Sequence, residues 1–174
     1  MGDRERDAIE VYRAHPTPDE IDEVLEQRGI ATLGTMNGDG SIHLTYVIFL
    51  HADGKLYFET SSVTRKARNV RDRNRATLLV EGRASTGRSL MVAAEGTARV
   101  ISGREADEMN HRIRAKYVKP ESLDGIDRAY GRFDDVAIEI TPSRWRSWTN
   151  SLLRAEAQKE ISGSYGDVWL PDDE

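Results

Sequence analysis

Residues 57–69, YFETSSVTRKARN, run from a short strand-like segment through a Ser/Thr-rich turn into the start of a basic helix. At such a junction the first backbone N–H groups of the helix lack internal partners, and the positive end of the helix dipole faces the turn. Ser61, Ser62 and Thr64 add hydroxyls. Arg65 adds a planar fork able to hold two phosphate oxygens, and Lys66 a point charge. The combination reads as a grip for the phosphate of a mononucleotide or flavin. The same residues also describe an ordinary Ser/Thr-capped helix with a solvated charged face, and on this segment alone both readings stand.

Outward from the turn the charge stays positive. Between Ser61 and Leu90 the cations are Arg65, Lys66, Arg68, Arg71, Arg73, Arg75, Arg83 and Arg88, against Asp72 and Glu81, in a chain whose net charge is -5. A local basic field in an acidic protein points to a small polyanion and away from nucleic acid, whose binders are usually basic overall. The 174 residues fit a single domain, 1–174, with its core at about 20–148 and residues 149–174 as a C-terminal extension. No apolar run approaches the roughly 18 residues of a membrane helix. The charged opening MGDRERDAIE lacks the apolar stretch of a signal peptide, so a cytoplasmic protein with no membrane partner is expected. With no cysteine and four scattered histidines, no thiolate chemistry, disulfide or dedicated metal site is expected.

The periodicities outline the fold. Pro16-Thr17-Pro18-Asp19 opens a helix with Ile21, Val24 and Leu25 on one face and Gly29 as its stop. Strands follow at Ile30–Met36 and Ile42–Leu50, joined by the tight turn Asn37-Gly38-Asp39-Gly40, and a second hairpin at Ala52-Asp53-Gly54 leads into Leu56–Thr60. After a basic helix over Arg65–Arg73 come strands at Ala76–Glu81 and Leu90–Ile101, the latter broken by Gly96. A helix over Gly103–Lys119, a loop containing Pro120 and Gly125, and a last strand Val136–Thr141 complete the core. About six short antiparallel strands with two or three peripheral helices favour closure into a barrel over a doubly wound sheet. From Ser151 the tail has helix-forming character to Glu160, and GSYGDVWLPDDE follows as a loosely held or partner-docking arm.

YFETSSVTRKARNVRDRNRATLLV (57–80) resembles the strand, Ser/Thr-Arg-Lys-Ala turn, helix and strand of the pyridoxamine 5'-phosphate oxidase-like split β-barrels. IATLGTMNGDGSIHLTYVIFL (30–50) resembles that family's first hairpin, AAEGTARVIS (93–102) its strand ending in Glu-Gly, and PSRWRSW (142–148) its Pro-x-Arg-x-x-x-Trp close. The resemblance covers roughly Ile30 to Trp148 in the family's order.

The resemblance implies a mainly β split barrel with peripheral helices, working as a homodimer with its site at the subunit interface. It implies that Thr45, Tyr46, Val47 and Ile48, continuing to Phe49, lie along the flat face of a tricyclic ring, and that Thr60 and Ser61 sit near the ribityl chain. Arg65 and Lys66 match the pair that holds the phosphate, and Asn69 sits one helical turn beyond. Trp148 matches the aromatic that closes the site. Met91 stands where pyridoxamine phosphate oxidases place a Gln that contacts FMN. After the closing Trp those oxidases carry Arg-x-His for the substrate phosphate, and this chain carries TNSLLRAEA; vitamin B6 oxidation is therefore disfavoured. The other branch resembled is the actinobacterial flavin and deazaflavin oxidoreductases, which commonly use coenzyme F420 with its oligoglutamate tail. The surplus of cations over what one FMN phosphate requires favours F420, with Arg71 and Arg73 reserved for the tail.

The function that follows is hydride transfer between a deazaflavin and an electron-poor small molecule. An FMN-dependent oxidoreductase on the same fold, and a carrier that sequesters a flavin or tetrapyrrole without turnover, remain as alternatives. No catalytic proton donor is singled out. His43 is read as a half-exposed strand residue, His111 as a surface or interface residue, and Trp145 and Trp148 as core or interface aromatics as readily as ring-stacking ones. The segment Glu121–Phe133 is read as a variable, substrate-selecting loop.

Overall fold

The computed structural model of the chain describes residues 16–169; the charged opening of the sequence and the last five residues of the tail lie outside them. Thr17 and Glu20 cap the first helix, α1 (Pro18–Glu26), reciprocally. The Glu20 amide donates to the Thr17 hydroxyl at 3.3 Å, and the Thr17 amide donates to the Glu20 carboxylate at 2.9 Å. The chain continues as β1 (Ile30–Met36), β2 (Ile42–Ile48), β3 (Leu50–Ala52), β4 (Lys55–Ser61), α2 (Arg65–Arg73), β5 (Arg75–Arg83), β6 (Ser89–Ile101), α3 (Arg104–Tyr117), α4 (Pro120–Tyr130), β7 (Asp135–Thr149) and α5 (Ser151–Glu160). The seven strands form one antiparallel sheet in the order β2-β1-β5-β6-β7-β4-β3. It curls so that β2 returns towards β4, giving the mainly β split barrel with peripheral helices.

Strand alternation decides which residues fill the barrel. Leu33, Phe49, Phe58, Leu78, Leu90, Ile138 and Ile140 point inward and are fully buried, closed over by Val24 and Leu25 of α1 and by Ala67 and Val70 of α2. On the outer face, α3 covers only the β4–β7 end, packing Ala106 and Ile113 on Tyr57, Ile101 and Ala137. The other end of that face stays open. Ile30, Ile42, Leu44 and Tyr46 are 65, 61, 64 and 78 % exposed.

Four expectations are revised. The second strand, read as continuous to Leu50, breaks at Phe49. There the Tyr117 hydroxyl accepts from the Phe49 amide at 3.2 Å and lies 2.9 and 3.0 Å from the carbonyls of Gly29 and Phe49. The separated β3 brings the strands to seven. The expected loop after α3 is the helix α4, for Pro120 takes the first helical turn, where its missing N–H costs nothing. The last strand runs to Thr149, not Thr141, because Pro142 falls at an irregularity of the ladder. Gly96 lies opposite Pro142, and one residue on, Glu95 opposes Arg144. A Cβ on Gly96 would stand 2.1 Å from the Thr141 carbonyl oxygen, so the close approach that lets β7 pass its proline requires glycine.

Acid stability has an identifiable source in β7. Glu139 accepts from Arg99 at 2.9 Å and lies 3.2 Å from the Lys55 ammonium. Hydrogen bonding from Arg99, against the opposing effect of burial and with help from Lys55, lowers its carboxyl to about 2 from an ordinary 4.5. A group depressed on folding contributes fully above its unfolded value and loses that contribution as pH falls through the folded one. Glu139→Gln is therefore expected to remove roughly 3 kcal/mol, at 1.36 kcal/mol per pK unit, of the stability lost between about pH 5 and pH 2. Urea titrations of both proteins across that window check it; parallel pH profiles would contradict it.

Candidate functional site

The turn between β4 and α2 is tightly wired. Thr64 caps α2: its hydroxyl accepts from the Ala67 amide at 3.4 Å, donates to the Ser61 carbonyl at 2.9 Å and sits 3.0 Å from the Thr60 hydroxyl. The Ser62 hydroxyl is engaged by Asp134, and its amide donates to the Asp134 carbonyl at 3.1 Å. Two of the three hydroxyls expected to address a phosphate are thus committed to building the turn. The amides of Arg65 and Lys66 remain without intrahelical partners by the geometry of a helix start. Lys66 is half-buried and makes no ion pair or hydrogen bond among the described residues. Burial alone pushes its pKa below the ordinary 10.5, because desolvation disfavours the charged ammonium.

Arg65 and Lys66 diverge. Arg65, Arg68, Asn69 and Asp72 follow helical spacing and line one side of an open cleft of about 480 Å³, whose other side is the β1–β2 turn with Asn37, Gly38, Asp39 and Ser41. Asn69, buried, pins helix to turn: its amide donates to Thr35 at 3.1 Å and Asn37 at 3.0 Å. Asp39 is lowered chiefly by its hydrogen bonds from Ser41, with a smaller contribution from Arg65. Lys66 is absent from this wall. Arg71, expected to serve only a cofactor tail, donates to the Ser62 carbonyl at 2.7 Å and so braces the turn itself. Arg73 lies 3.8 Å from Asp72.

The ring-facing stretch divides by alternation. Tyr46 points to the open outer face, Ile48 is half-buried against the cluster under α3, Thr45 is half-buried on the face opposite Tyr46, and Val47 and Phe49 are core residues. Their side chains are thereby removed from any ligand, and only their backbone remains eligible. Met91 and Trp148 are directly opposed across β6 and β7, both half-buried on the same open outer face. Trp145 points to the other face, its ring 6.0 Å from His51, because odd and even residues of a strand part company.

One chain brings together Thr60, Ser61, Arg65, Lys66 and Asn69. It does not bring Met91 and Trp148 to them. Ser61 opposes Asp135, the first residue of the 15-residue β7, and Trp148 is its last but one; roughly 40 Å of strand lies between, at ~3.3 Å per residue. The contributions missed in the sequence are Asn37, Gly38, Asp39 and Ser41. The turn itself was legible, but its position over α2 rests on Asn69, 32 residues from Asn37 along the chain. Among the described residues no group of three or more His, Asp or Glu is placed to hold a metal, and no helix is long and apolar enough to cross a membrane.

A curled antiparallel half-barrel with a capped basic helix after its fourth strand is a specific combination, and a family model described as pyridoxamine 5'-phosphate oxidase matches residues 17–149. The chain belongs to the pyridoxamine 5'-phosphate oxidase-like family. Among solved structures of this fold, a conserved hypothetical protein from Mycobacterium tuberculosis is 26 % identical, with a TM-score of 0.68 over 81 % of this chain and 91 % of that one. An F420 reductase is 20 % identical, TM-score 0.57, over 75 % and 98 % of the two chains. HutZ, a heme storage protein from Vibrio cholerae, is 15 % identical, TM-score 0.59, over 75 % and 94 %. At those last two identities the likeness is one of fold. No curated protein matches the chain. Proteins described as an F420 reductase and as a heme storage protein thus share this fold.

Proposed function

We propose that the protein is a cytoplasmic, homodimeric F420-dependent oxidoreductase that passes a hydride between the deazaflavin and an electron-poor small molecule. The observation that carries the reading is Lys66, a half-buried cation without an anionic partner among the described residues, beside the amide-bearing start of α2. Free amides and an ammonium suit a phosphate. The cleft beyond, with Arg65 and Arg68 in its wall, suits the carboxylates of an oligoglutamate tail, and Asp39 and Asp72 confine where such a tail can run. When bound, the deazaflavin supplies two-electron hydride chemistry. The chain holds the phosphate, orients the ring by the exposed side chains and backbone of β2, and shields it from water.

A second copy of the chain accounts for the open face and for the divided site. Ile30, Ile42, Leu44 and Tyr46 are exposed apolar side chains on neighbouring strands β1 and β2, the kind of surface that suits an interface, and pairing through it allows Met91 and Trp148 of one copy to approach the basic turn of the other. Leu44→Asp is expected to raise the dimer dissociation constant about tenfold or more, as for a central interface residue, with the monomer still folded. Sedimentation across a dilution series reads this. A wild-type protein that is monomeric at micromolar concentration and still binds cofactor tightly would contradict it.

The test of function starts from the absorbance spectrum of the purified protein, followed by titration with F420 and with FMN. Tight uptake of F420 without FMN supports the proposal; co-purified yellow flavin transfers the protein to the FMN-dependent alternative. With F420 reduced in advance, conjugated enones and quinones should be turned over above the uncatalysed rate, since each offers an electron-poor carbon. Equal binding of both redox forms with no turnover across the panel would make the protein a carrier.

A further inference from the structure

Every polar group of Ser62, in the turn between β4 and α2, is engaged. Its amide donates to the Asp134 carbonyl at 3.1 Å, its hydroxyl is held by the Asp134 carboxylate, and its carbonyl accepts from Arg71 at 2.7 Å. Two of these three contacts come from one residue, 72 positions further along the chain and just beyond the end of α4. The backbone of Asp134 is left-handed, with φ of 51°, a conformation that Asp and Asn tolerate better than other side chains. From it the carbonyl and the carboxylate reach the same serine. The next residue, Asp135, opposes Ser61 across the β4–β7 ladder and accepts from Arg114 of α3 at 2.9 Å. The turn is thus anchored from outside at two consecutive residues before Thr64 caps α2.

Electrostatics alone would not place a carboxylate there. Asp134 is exposed, and a negative charge beside a turn that receives a phosphate repels it. What it offers in return is geometric. Helix-start amides and an ammonium recognise a phosphate only while they converge on one place, and holding them there in advance lowers the ordering cost of binding.

We propose that Asp134 is a positioning residue for the phosphate-binding turn: by holding Ser62 through backbone and side chain, it keeps the start of α2 and Lys66 in the orientation that receives the phosphate. The inference rests on the phosphate reading of this turn, and not on whether the cofactor is F420 or FMN. It differs in sign from the simpler role in which the Ser62 hydroxyl itself serves the phosphate. In that role, removing the Asp134 carboxylate frees the hydroxyl, takes away a repelling charge and tightens binding. In the positioning role, removing it weakens binding.

Titrating the full chain with F420 and with the corresponding phosphate-free deazaflavin tests this; for a protein that takes flavin, FMN and riboflavin are the equivalent pair. Asp134→Gly keeps the left-handed backbone without the carboxylate. It should weaken the phosphate-bearing cofactor about tenfold, the scale of one lost hydrogen bond, and leave the phosphate-free one within about twofold. Asp134→Asn keeps an acceptor for Ser62 and removes the repelling charge, and should bind at least as tightly as the wild type. In a Ser62→Ala background Asp134→Gly should add no further loss, because both changes remove the same bond. Phosphate-bearing cofactor held by Asp134→Gly as tightly as by the wild type, or more tightly, would overturn the proposal. So would an equal loss for both members of the pair, which marks a purely structural role. Wild-type protein that binds both members equally, with Lys66→Ala changing neither, would overturn it together with the phosphate reading.

Discussion

Arg114→Ala is expected to lower folding stability by about 3–5 kcal/mol, the usual cost of removing one partner from a buried ion network. Arg114 is 5 % exposed. Its guanidinium is shared by Glu59, Asp127 and Asp135, with the Tyr130 ring 5.1 Å from its carbon. Its loss would leave Glu59 and Asp135, both largely buried, facing each other as like charges. Burial already raises the Glu59 carboxyl, with Asp135 adding to the effect and Arg114 opposing it, so removal of Arg114 would drive Glu59 further towards its neutral form. The variant should therefore recover part of its lost stability as pH is lowered towards 5, where the wild type gains nothing comparable. Urea denaturation at pH 7 and pH 5 measures both effects. Arg114→Lys should fall between, because one ammonium does not reproduce a planar fork serving three carboxylates. A loss below about 1 kcal/mol, the range of exposed pairs, would show the network to be effectively solvated.

Lys66→Ala is expected to weaken F420 binding by about 1.5–3 kcal/mol, the range for hydrogen bonds to a charged group, which is roughly 10- to 150-fold in Kd. Stability should change little, since Lys66 has no partner within the described fold to lose. Removing a desolvated cation relieves a cost and does not break a bond. Binding and Tm measured on the same samples separate the two. Unchanged affinity with raised Tm would return the segment to a capped, charged helix. Arg71→Ala provides the contrast: it loses the 2.7 Å bond to the Ser62 carbonyl and should weaken cofactors with short and long tails alike, by loosening the turn that presents Lys66.

Much of this protein was readable without coordinates. The strands Ile30–Met36 and Ile42–Ile48, the turn between them and the helix Arg65–Arg73 are set by signals a few residues long: alternation, Asn-Gly, and a Thr cap followed by helix formers. A closed antiparallel barrel followed from the order of those elements, its split-barrel class from the family resemblance of residues 57–80 and their companion motifs, and the phosphate-grip candidates from the residue types in one turn. What failed did so where distant residues decide. Phe49 interrupts its strand because of Tyr117. Residues 120–130 form a helix despite Gly125, as His111 and Arg114 of α3 hold Asp127 from outside. The last strand survives Pro142 because Gly96, 46 positions earlier, admits its backbone.

The same division runs through the site. Composition alone placed a basic turn inside an acidic chain, since charge type and local spacing are properties of the sequence. Tertiary structure alone decided which of those cations are free. Arg71 braces Ser62, Thr64 and Ser62 are consumed by the turn, Arg65 faces a cleft whose other wall comes from the first hairpin, and Lys66 is left half-buried and unpartnered among the described residues. Whether a polar group is committed or available depends on who stands within about 3 Å of it, and that neighbour is set by packing of residues far apart in the chain.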